Sequence, residues 1–248
     1  MIDMYNPFTL EGKTILVTGA SSGIGRSVCI ELSKAGANIV LTGRNIDRLN
    51  ETLASLEDGE HTVVAADLTK IDEIEELVDN TPMIDGVALV AGINDKMIIK
   101  KIDDTFISKM ISTNFSGPAL LMKSLLKKKK INKQASIVFM SSVSAFYPSV
   151  SNALYAATKA AVNQFAKVLA LEMLPLKARV NCIQPAFVET DMIKKYDEDT
   201  LNEILKEYPL GRFAKPEEIA YAVIYYMSDA SQLVTGTSMV IDGGFTLQ

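Results

Sequence analysis

Apolar and polar positions along this chain follow two rhythms. Short runs rich in β-branched residues occur at Lys13–Thr18, Asn38–Thr42, Thr62–Ala66, Gly86–Val90, Ser136–Met140, Arg179–Ile183 and Ser238–Ile241. Between them lie stretches with helical spacing: Gly23–Ala35, Asp47–Leu56, Ile71–Asp79, Asp103–Ile111, Pro118–Lys129, Ala153–Leu174 and Pro216–Ser228. The strand runs are apolar at successive positions, as in strands buried on both faces. Strands of this kind alternating with helices predict an α/β fold: a parallel sheet with helices on both sides. Right-handed crossovers make that sheet doubly wound. The 248 residues suit one α/β domain, and no linker, repeat or low-complexity segment divides them. Residues 1–248 therefore read as a single domain.

Two segments depart from the pattern. Ala153–Leu174 carries Ala, Leu, Val and Phe on almost every helical face, which predicts burial against a second subunit as well as the sheet. A homo-oligomer is the expectation. Phe187–Phe213 is a long connection with a short helix at about Thr200–Lys206, and connections of that length are usually lids or binding loops. Met192, Ile193, Tyr196, Leu201 and Leu205 give it an apolar side that either lines a pocket or packs on the core. Ser144, Phe146 and Tyr147 are candidates for the same lining.

Composition mostly excludes. A formal charge of −5 with Lys and Arg scattered leaves no basic footprint for nucleic acid. Cys29 and Cys182 are too few and too far apart for a disulfide framework and read as small buried residues. With His61 as the single histidine, no metal site is expected and Ser142 lacks a partner for hydrolase chemistry. The opening MIDMYNPFTL lacks the basic-then-apolar pattern of a secretory signal, and no apolar run nears the roughly 20 residues of a membrane span. A cytoplasmic protein with no membrane partner is the expectation. Lys127–Lys130 reads as a solvated helix end, with docking of an acidic partner as the alternative.

The chemistry concentrates in three places. Thr18-Gly19-Ala20-Ser21-Ser22-Gly23-Ile24-Gly25 follows the first strand and opens the first helix. Glycines there let the backbone approach a pyrophosphate, and the helix start offers free N–H groups and a positive dipole end. The second strand ends in Leu41-Thr42-Gly43-Arg44-Asn45, with Arg44 where an NAD-binding site would place an acidic residue. An arginine pairs with a 2′-phosphate, so NADP(H) is expected over NAD(H). Asp67-Leu68 closes the third strand, and a Thr69 helix cap would leave the Asp67 carboxylate free for an adenine amino group; a turn role for Asp67 is the alternative. Tyr155 and Lys159, at i and i+4, share one helix face, while Ser142 lies just past the fifth strand at the carboxyl end of the sheet. An ammonium near a phenol would bring it down toward working pH for proton transfer to a carbonyl oxygen, which the Ser142 hydroxyl could also hold.

Taken together, TGASSGIG (Thr18–Gly25), Asp67-Leu68, Ala91-Gly92, Asn114, Ser141-Ser142, YAATK (Tyr155–Lys159), the Asn181–Thr190 stretch, Leu210-Gly-Arg212 and Asp242-Gly-Gly244 resemble the short-chain dehydrogenase/reductase family over essentially the whole chain. The resemblance implies a seven-stranded Rossmann sheet in the order 3-2-1-4-5-6-7 and an NAD(P)-dependent enzyme acting on CH–OH groups. It implies Tyr155 as acid/base, Lys159 on the nicotinamide ribose, Ser142 orienting substrate, and Asn114 in a water-linked relay through Lys159. Gly19, Ser21, Ser22, Gly23, Ile24 and Gly25, with Ala91 and Gly92, would line the cofactor; Pro185, Val188 and Thr190 would meet its nicotinamide end. Many members are tetramers packed partly through the long helix, so a tetramer or dimer is expected.

Two positions depart from the family. Val90 stands where an Asn is usual, and Ala186 where a Gly is usual, which raises the question of a positive φ or a narrowed site. By pattern the chain is similar to 3-oxoacyl-carrier-protein reductases, and Lys133 stands near where those place a basic residue for the acidic carrier. The same marks occur in reductases of sugars, steroids and other small ketones. A non-catalytic NADP sensor would be expected to lose Tyr155 or Lys159, an epimerase to carry a larger C-terminal region, and an enoyl reductase to space the Tyr and Lys further apart.

Overall fold

The β-branched runs form strands β1 (Thr14–Thr18), β2 (Asn38–Gly43), β3 (Thr62–Ala65), β4 (Ile84–Leu89), β5 (Ile131–Met140), β6 (Arg179–Pro185) and β7 (Ser238–Ile241). The intervening helices are α1 (Gly23–Lys34), α2 (Ile46–Leu53), α3 (Ile71–Asn80), α4 (Asp104–Ile111), α5 (Gly117–Lys127), α6 (Ala153–Glu172), α7 (Glu198–Leu205) and α8 (Pro216–Met227). These come from a computed structural model that describes residues 6–191, 193 and 196–247. Among those residues one parallel sheet runs β3-β2-β1-β4-β5-β6-β7, the order the family resemblance implies. The order reverses between β1 and β4, and in open α/β sheets a ligand crevice opens at that point beyond the strands' carboxyl ends.

Side-chain alternation along the strands builds two cores. Ile15 and Val17 of β1 join Ile39 and Leu41 under α1 and α8, against Val28, Leu32, Ile219 and Val223. Leu16 turns to the other face, where Val87, Ile137 and Phe139 meet Leu77, Leu121, Val162 and Leu169 of α3, α5 and α6. Full burial of one such side chain contributes about 1.5–3 kcal/mol, so both layers are needed to hold the sheet. Phe165 of α6 meets Phe115 and Phe139 edge-on at 5.8 and 5.9 Å, which fixes the helix against β5.

Several expectations are refined. β5 starts at Ile131, five residues before the apolar run, because polar Asn132, Lys133 and Gln134 break the pattern and the register with β4 shifts there. Gln134 takes φ 64° at that irregularity. Helices α4 and α5 are joined by a π-helical turn, Ser112–Ser116. The lysine run is partly consumed by the fold: Lys128 pairs with Glu75 at 2.8 Å and Asp79 at 2.7 Å, and Lys130 Nζ donates to the Thr81 carbonyl at 2.6 Å. Lys133 sits at the amino end of β5, opposite the end where Ser142 lies. His61 is structural, its Nδ1 accepting from Ile39 N and its Nε2 donating to the Glu57 carbonyl. Both thiols are buried and free. Among the described residues no helix is long and apolar enough to cross a membrane.

The long helix α6 is not covered all round within one chain: Val168, Leu171 and, just beyond its end, Leu174 are 55, 68 and 56% exposed.

Arg179 opens β6 and is buried. Its guanidinium donates to the carbonyls of Tyr226 at 2.6 Å and Ser228 at 3.3 Å and to Ser231 Oγ at 2.9 Å, so one side chain ties off the end of α8. Replacing it strips the charged donor from the buried Tyr226 and Ser228 carbonyls and leaves them only the hydroxyls of Ser136 and Ser231. Arg179→Met is expected to cost roughly 1.5–3 kcal/mol, a charged hydrogen bond's worth, read as a lower urea midpoint at unchanged slope.

Candidate active site

Gly19 follows β1 at φ 69°, and a Cβ there would lie 2.9 Å from the Ala91 Cα. At Gly25 a Cβ would lie 2.1 Å from the Gly19 carbonyl oxygen. The start of α1 can therefore close on the turn only where side chains are absent. Thr18 Oγ1 accepts from the amides of Val90 and Ala91 at 3.0 and 3.1 Å, which draws the end of β4 onto the same turn. Val90 thus serves by its backbone, while its side chain packs into the core. Ser22 opens α1 without a side-chain cap, so the first-turn amides are left for another acceptor.

These elements wall a cavity of about 760 Å³. Gly19, Ser21, Ser22, Gly23, Ile24, Gly25, Arg44, Asp67, Leu68, Ala91, Gly92, Ser142, Tyr155, Lys159, Pro185, Val188 and Thr190 all line it. Arg44 is exposed at its rim, and among the described residues no carboxylate pairs with it at salt-bridge distance. Asn45 behind it caps α2 through Arg48 N at 3.0 Å. Asp67 departs from the free carboxylate expected: its Oδ1 accepts from Thr69 N at 3.0 Å and Thr69 Oγ1 at 2.8 Å. It shapes the turn, and α3 begins one residue later than the Thr69 cap would have it, after Lys70. Burial pushes the Asp67 carboxyl up, but the Thr69 bonds and the charges of Arg44 and Lys70 outweigh it and hold it below its ordinary value.

At the other end of the cavity α6 meets the end of β5. Lys159 Nζ donates to the Met140 carbonyl at 2.7 Å, and Ser141 Oγ donates to the Lys159 carbonyl at 3.1 Å. The ammonium lies 5.6 Å from the Tyr155 ring centroid. Burial pushes the Tyr155 phenol up to about 12 against the pull of the neighbouring Ser142 hydroxyl, and burial takes Lys159 down to about 8. The expected lowering of the phenol by Lys159 is therefore not present in this arrangement. Lys159 is buried and Tyr155 partly so, and desolvation favours the neutral form of each. Ser142 Oγ accepts from Ser144 N at 3.1 Å, which aims it beside Tyr155.

Among the catalytic and cofactor candidates, Asn114 alone does not reach the cavity wall. Its side chain is held in the π-helical turn, with Oδ1 accepting from Ile93 N at 2.9 Å and Nδ2 donating to the Ile93 carbonyl at 3.0 Å and to Thr158 Oγ1 at 3.3 Å. Gly92 separates it from the cavity: a Cβ there would lie 3.2 Å from Asn114 Oδ1 and 3.4 Å from Lys159 Nζ. Ala186 brings no strain, since it is not among the residues of positive φ, and its amide bonds the Ile241 carbonyl at 3.1 Å.

On the remaining wall, Ser144, Tyr147, Ile193 and Tyr196 line the cavity as expected, whereas Phe146, Leu201 and Leu205 do not; Met192 lies outside the described residues. The connection after β6 is pinched at its base by a parallel bridge between Val188 and Ala214. Arg212 forks onto Glu218 with two bonds of 2.7 Å, and Asp242 Oδ2 accepts from Thr246 N at 2.9 Å. That second turn delivers Phe245, which sequence reasoning missed, into the cavity beside Tyr147 at 5.2 Å. The Asp-Gly-Gly turn directly before an aromatic residue was the available signal. Lys96, Asn152 and Glu207 were missed as well, having no local pattern to mark them.

A family profile described as enoyl-(acyl carrier protein) reductase matches residues 19–246. The chain is 30% identical over 238 residues to a 3-oxoacyl-[acyl-carrier-protein] reductase of Rickettsia felis, covering 96% of this chain and 98% of the relative. It is 33% identical over 242 residues to an L-xylulose reductase of Caenorhabditis elegans, covering 94% and 96%. Among solved structures, a glucose/ribitol dehydrogenase from Brucella melitensis superposes with a TM-score of 0.91 at 31% identity, covering 97% of this chain and 99% of that one. A Beutenbergia cavernae structure with NADP bound at low occupancy superposes with a TM-score of 0.88 at 29% identity, covering 98% and 100%.

Proposed function

As this chain belongs to the short-chain dehydrogenase/reductase family of NAD(P)-dependent oxidoreductases, we propose that it uses NADP(H) to interconvert a carbonyl and a secondary alcohol. The observation that carries this reading is convergence: Ser142, Tyr155 and Lys159 open onto the same cavity as the glycine turn and Arg44. The cradle fits a dinucleotide because the tight Gly19–Gly25 turn brings the uncapped first turn of α1 to the cavity wall, where its amides suit a pyrophosphate. When bound, the nicotinamide supplies or receives the hydride.

The chain's own residues handle the proton and the charge. Tyr155, kept protonated by burial, donates to the carbonyl oxygen as negative charge develops there. Ser142 donates a hydrogen bond to the same oxygen. Lys159 holds the nicotinamide ribose and adds positive charge beside the phenol. Asn114 acts from behind Gly92, fixing Ile93 and the wall next to Lys159, so its role in a proton relay is indirect. Arg44 pairs with the 2′-phosphate, and the glycine turn with Ile24, Leu68, Pro185, Val188 and Thr190 completes the cofactor groove. The whole chain acts as one domain, with the 187–213 connection covering the substrate.

For the substrate, a 3-oxoacyl thioester is supported by the Rickettsia relative, and the apolar wall of Ile193, Phe187 and Phe245 suits an acyl chain. A sugar-like ketone is the second reading, favoured by Ser144, Ser149 and Asn152 on the same wall and by the L-xylulose reductase relative. Enoyl reduction is not favoured, because Tyr155 and Lys159 stand one helical turn apart. The exposed apolar side of α6 supports a homo-oligomer, a dimer or tetramer.

A screen of NADPH oxidation with acetoacetyl thioesters, sugars, steroids and simple ketones tests the function. At least one class is expected to turn over, with Tyr155→Phe lowering kcat/KM about 10²–10⁴-fold while the dinucleotide still binds; an active variant removes the acid/base role. NADPH is expected to bind at least about tenfold tighter than NADH, and Arg44→Leu to erase the difference in a fluorescence titration; an unchanged ratio removes Arg44 from cofactor choice. Carbonyl reduction requires the charged form of Lys159, which burial brings to about 8. Its rate is therefore expected to be level below that pH and to fall as pH rises through it; a rate climbing through the same range contradicts the assignment.

A further inference from the structure

Among the described residues three cations line the cavity: Arg44 at the adenosine end, Lys159 beside Tyr155, and Lys96 on the β4–α4 connection. The first two have roles in the reading above; Lys96 has none. Its ammonium is held over the Tyr196 ring at 4.9 Å, so it bridges to the 187–213 connection on the opposite wall. Tyr196 in turn tilts against Phe187 at 5.7 Å, giving a ladder from the strand ends outward to an exposed charge.

Neighbouring carboxylates do not neutralise it. Asp95 is committed to Lys109 at 2.8 Å, and Asp191 lies 3.7 Å from Arg48. Among the described residues no acidic group lies within salt-bridge distance of Lys96. A lysine on an aromatic face keeps its full charge, and the donors not turned to the ring can meet an anion as a compact point charge. The lysines at 127–133 cannot serve the same mouth, since they sit at the amino ends of the strands.

We propose that Lys96 reads an anionic group at the end of the substrate remote from its carbonyl. This rests on the carbonyl-reductase reading and narrows it to substrates with an apolar middle and a negative tail. The anion has two chemical sources: a carboxylate on the ketone itself, or the phosphate of a pantetheine-type thioester arm. Both present oxygens to an ammonium at a wet rim.

The test uses the full chain with NADPH and two matched pairs: acetoacetyl-coenzyme A against acetoacetyl-N-acetylcysteamine, and 5-oxohexanoate against its methyl ester. The wild-type enzyme is expected to prefer the anionic member of one pair, which names the source, and the preference is expected to shrink as salt screens it. Lys96→Met is expected to lower that anionic-to-neutral ratio of kcat/KM by about fivefold, and Lys96→Arg to keep it. A wild-type preference absent from both pairs, or a ratio untouched in Lys96→Met, overturns the proposal while turnover of the neutral members upholds the reductase reading. If Lys96→Met slows both members equally, Lys96 is only a clasp between the two walls and the proposal falls. No turnover of any of these probes, while another class in the wider NADPH screen is reduced, overturns the proposal and leaves the reductase reading standing.

Discussion

Lys159 is 4% exposed, and its ammonium is held by the last carbonyl of a central strand. Burying a cation is costly unless it is bonded, and here the bond also locates the helix that carries it. The strand end, the helix start and the hydroxyl of Ser142 are thereby held in one frame. Ser141 bonds back to the Lys159 carbonyl, and the Phe165 pairs clamp the far side of the same helix. Loosening this tie would let the phenol drift from the serine it faces. The same desolvation keeps the Tyr155 proton on and weakens the hold of Lys159 on its own, so one constraint places both groups and sets their charge.

A second constraint, steric rather than electrostatic, forms the other half of the site. The helix α1 can start only where the Gly25 α-carbon meets the Gly19 carbonyl, and that contact brings the uncapped first turn to the cavity wall. Thr18 extends the arrangement by drawing in the amides that follow β4. Backbone atoms make most of this region. Val90 meets it through its amide, which Thr18 Oγ1 holds at 3.0 Å.

The substrate wall is built on other terms. Its parts come from four separated segments: the β4–α4 connection, the β5–α6 connection, the 187–213 connection and the final turn holding Phe245. Arg212 with Glu218 and Asp242 with Thr246 fix where two of these return to the fold, but aromatic contacts decide what faces the cavity. Relatives named for acyl-carrier and sugar substrates match this chain at similar identity, because they share the frame, and the frame does not encode the substrate.

The sequence by itself determined the alternation of strands and helices, the parallel sheet, the glycine turn and the shared face of Tyr155 and Lys159. These follow from periodicity and backbone sterics, which act over a few residues and are written locally. The family resemblance supplied the strand order. Only the tertiary structure decided that the Asn114 amide is spent on Ile93, that Asp67 bonds Thr69, that β5 begins in a polar stretch, and that Phe245 and Lys96 reach the cavity. It also reversed the sign expected for Tyr155, since a phenol's ionisation depends on how much water the whole fold excludes. Burial and cross-chain contact are sums over residues far apart in sequence, and no local pattern carries that sum.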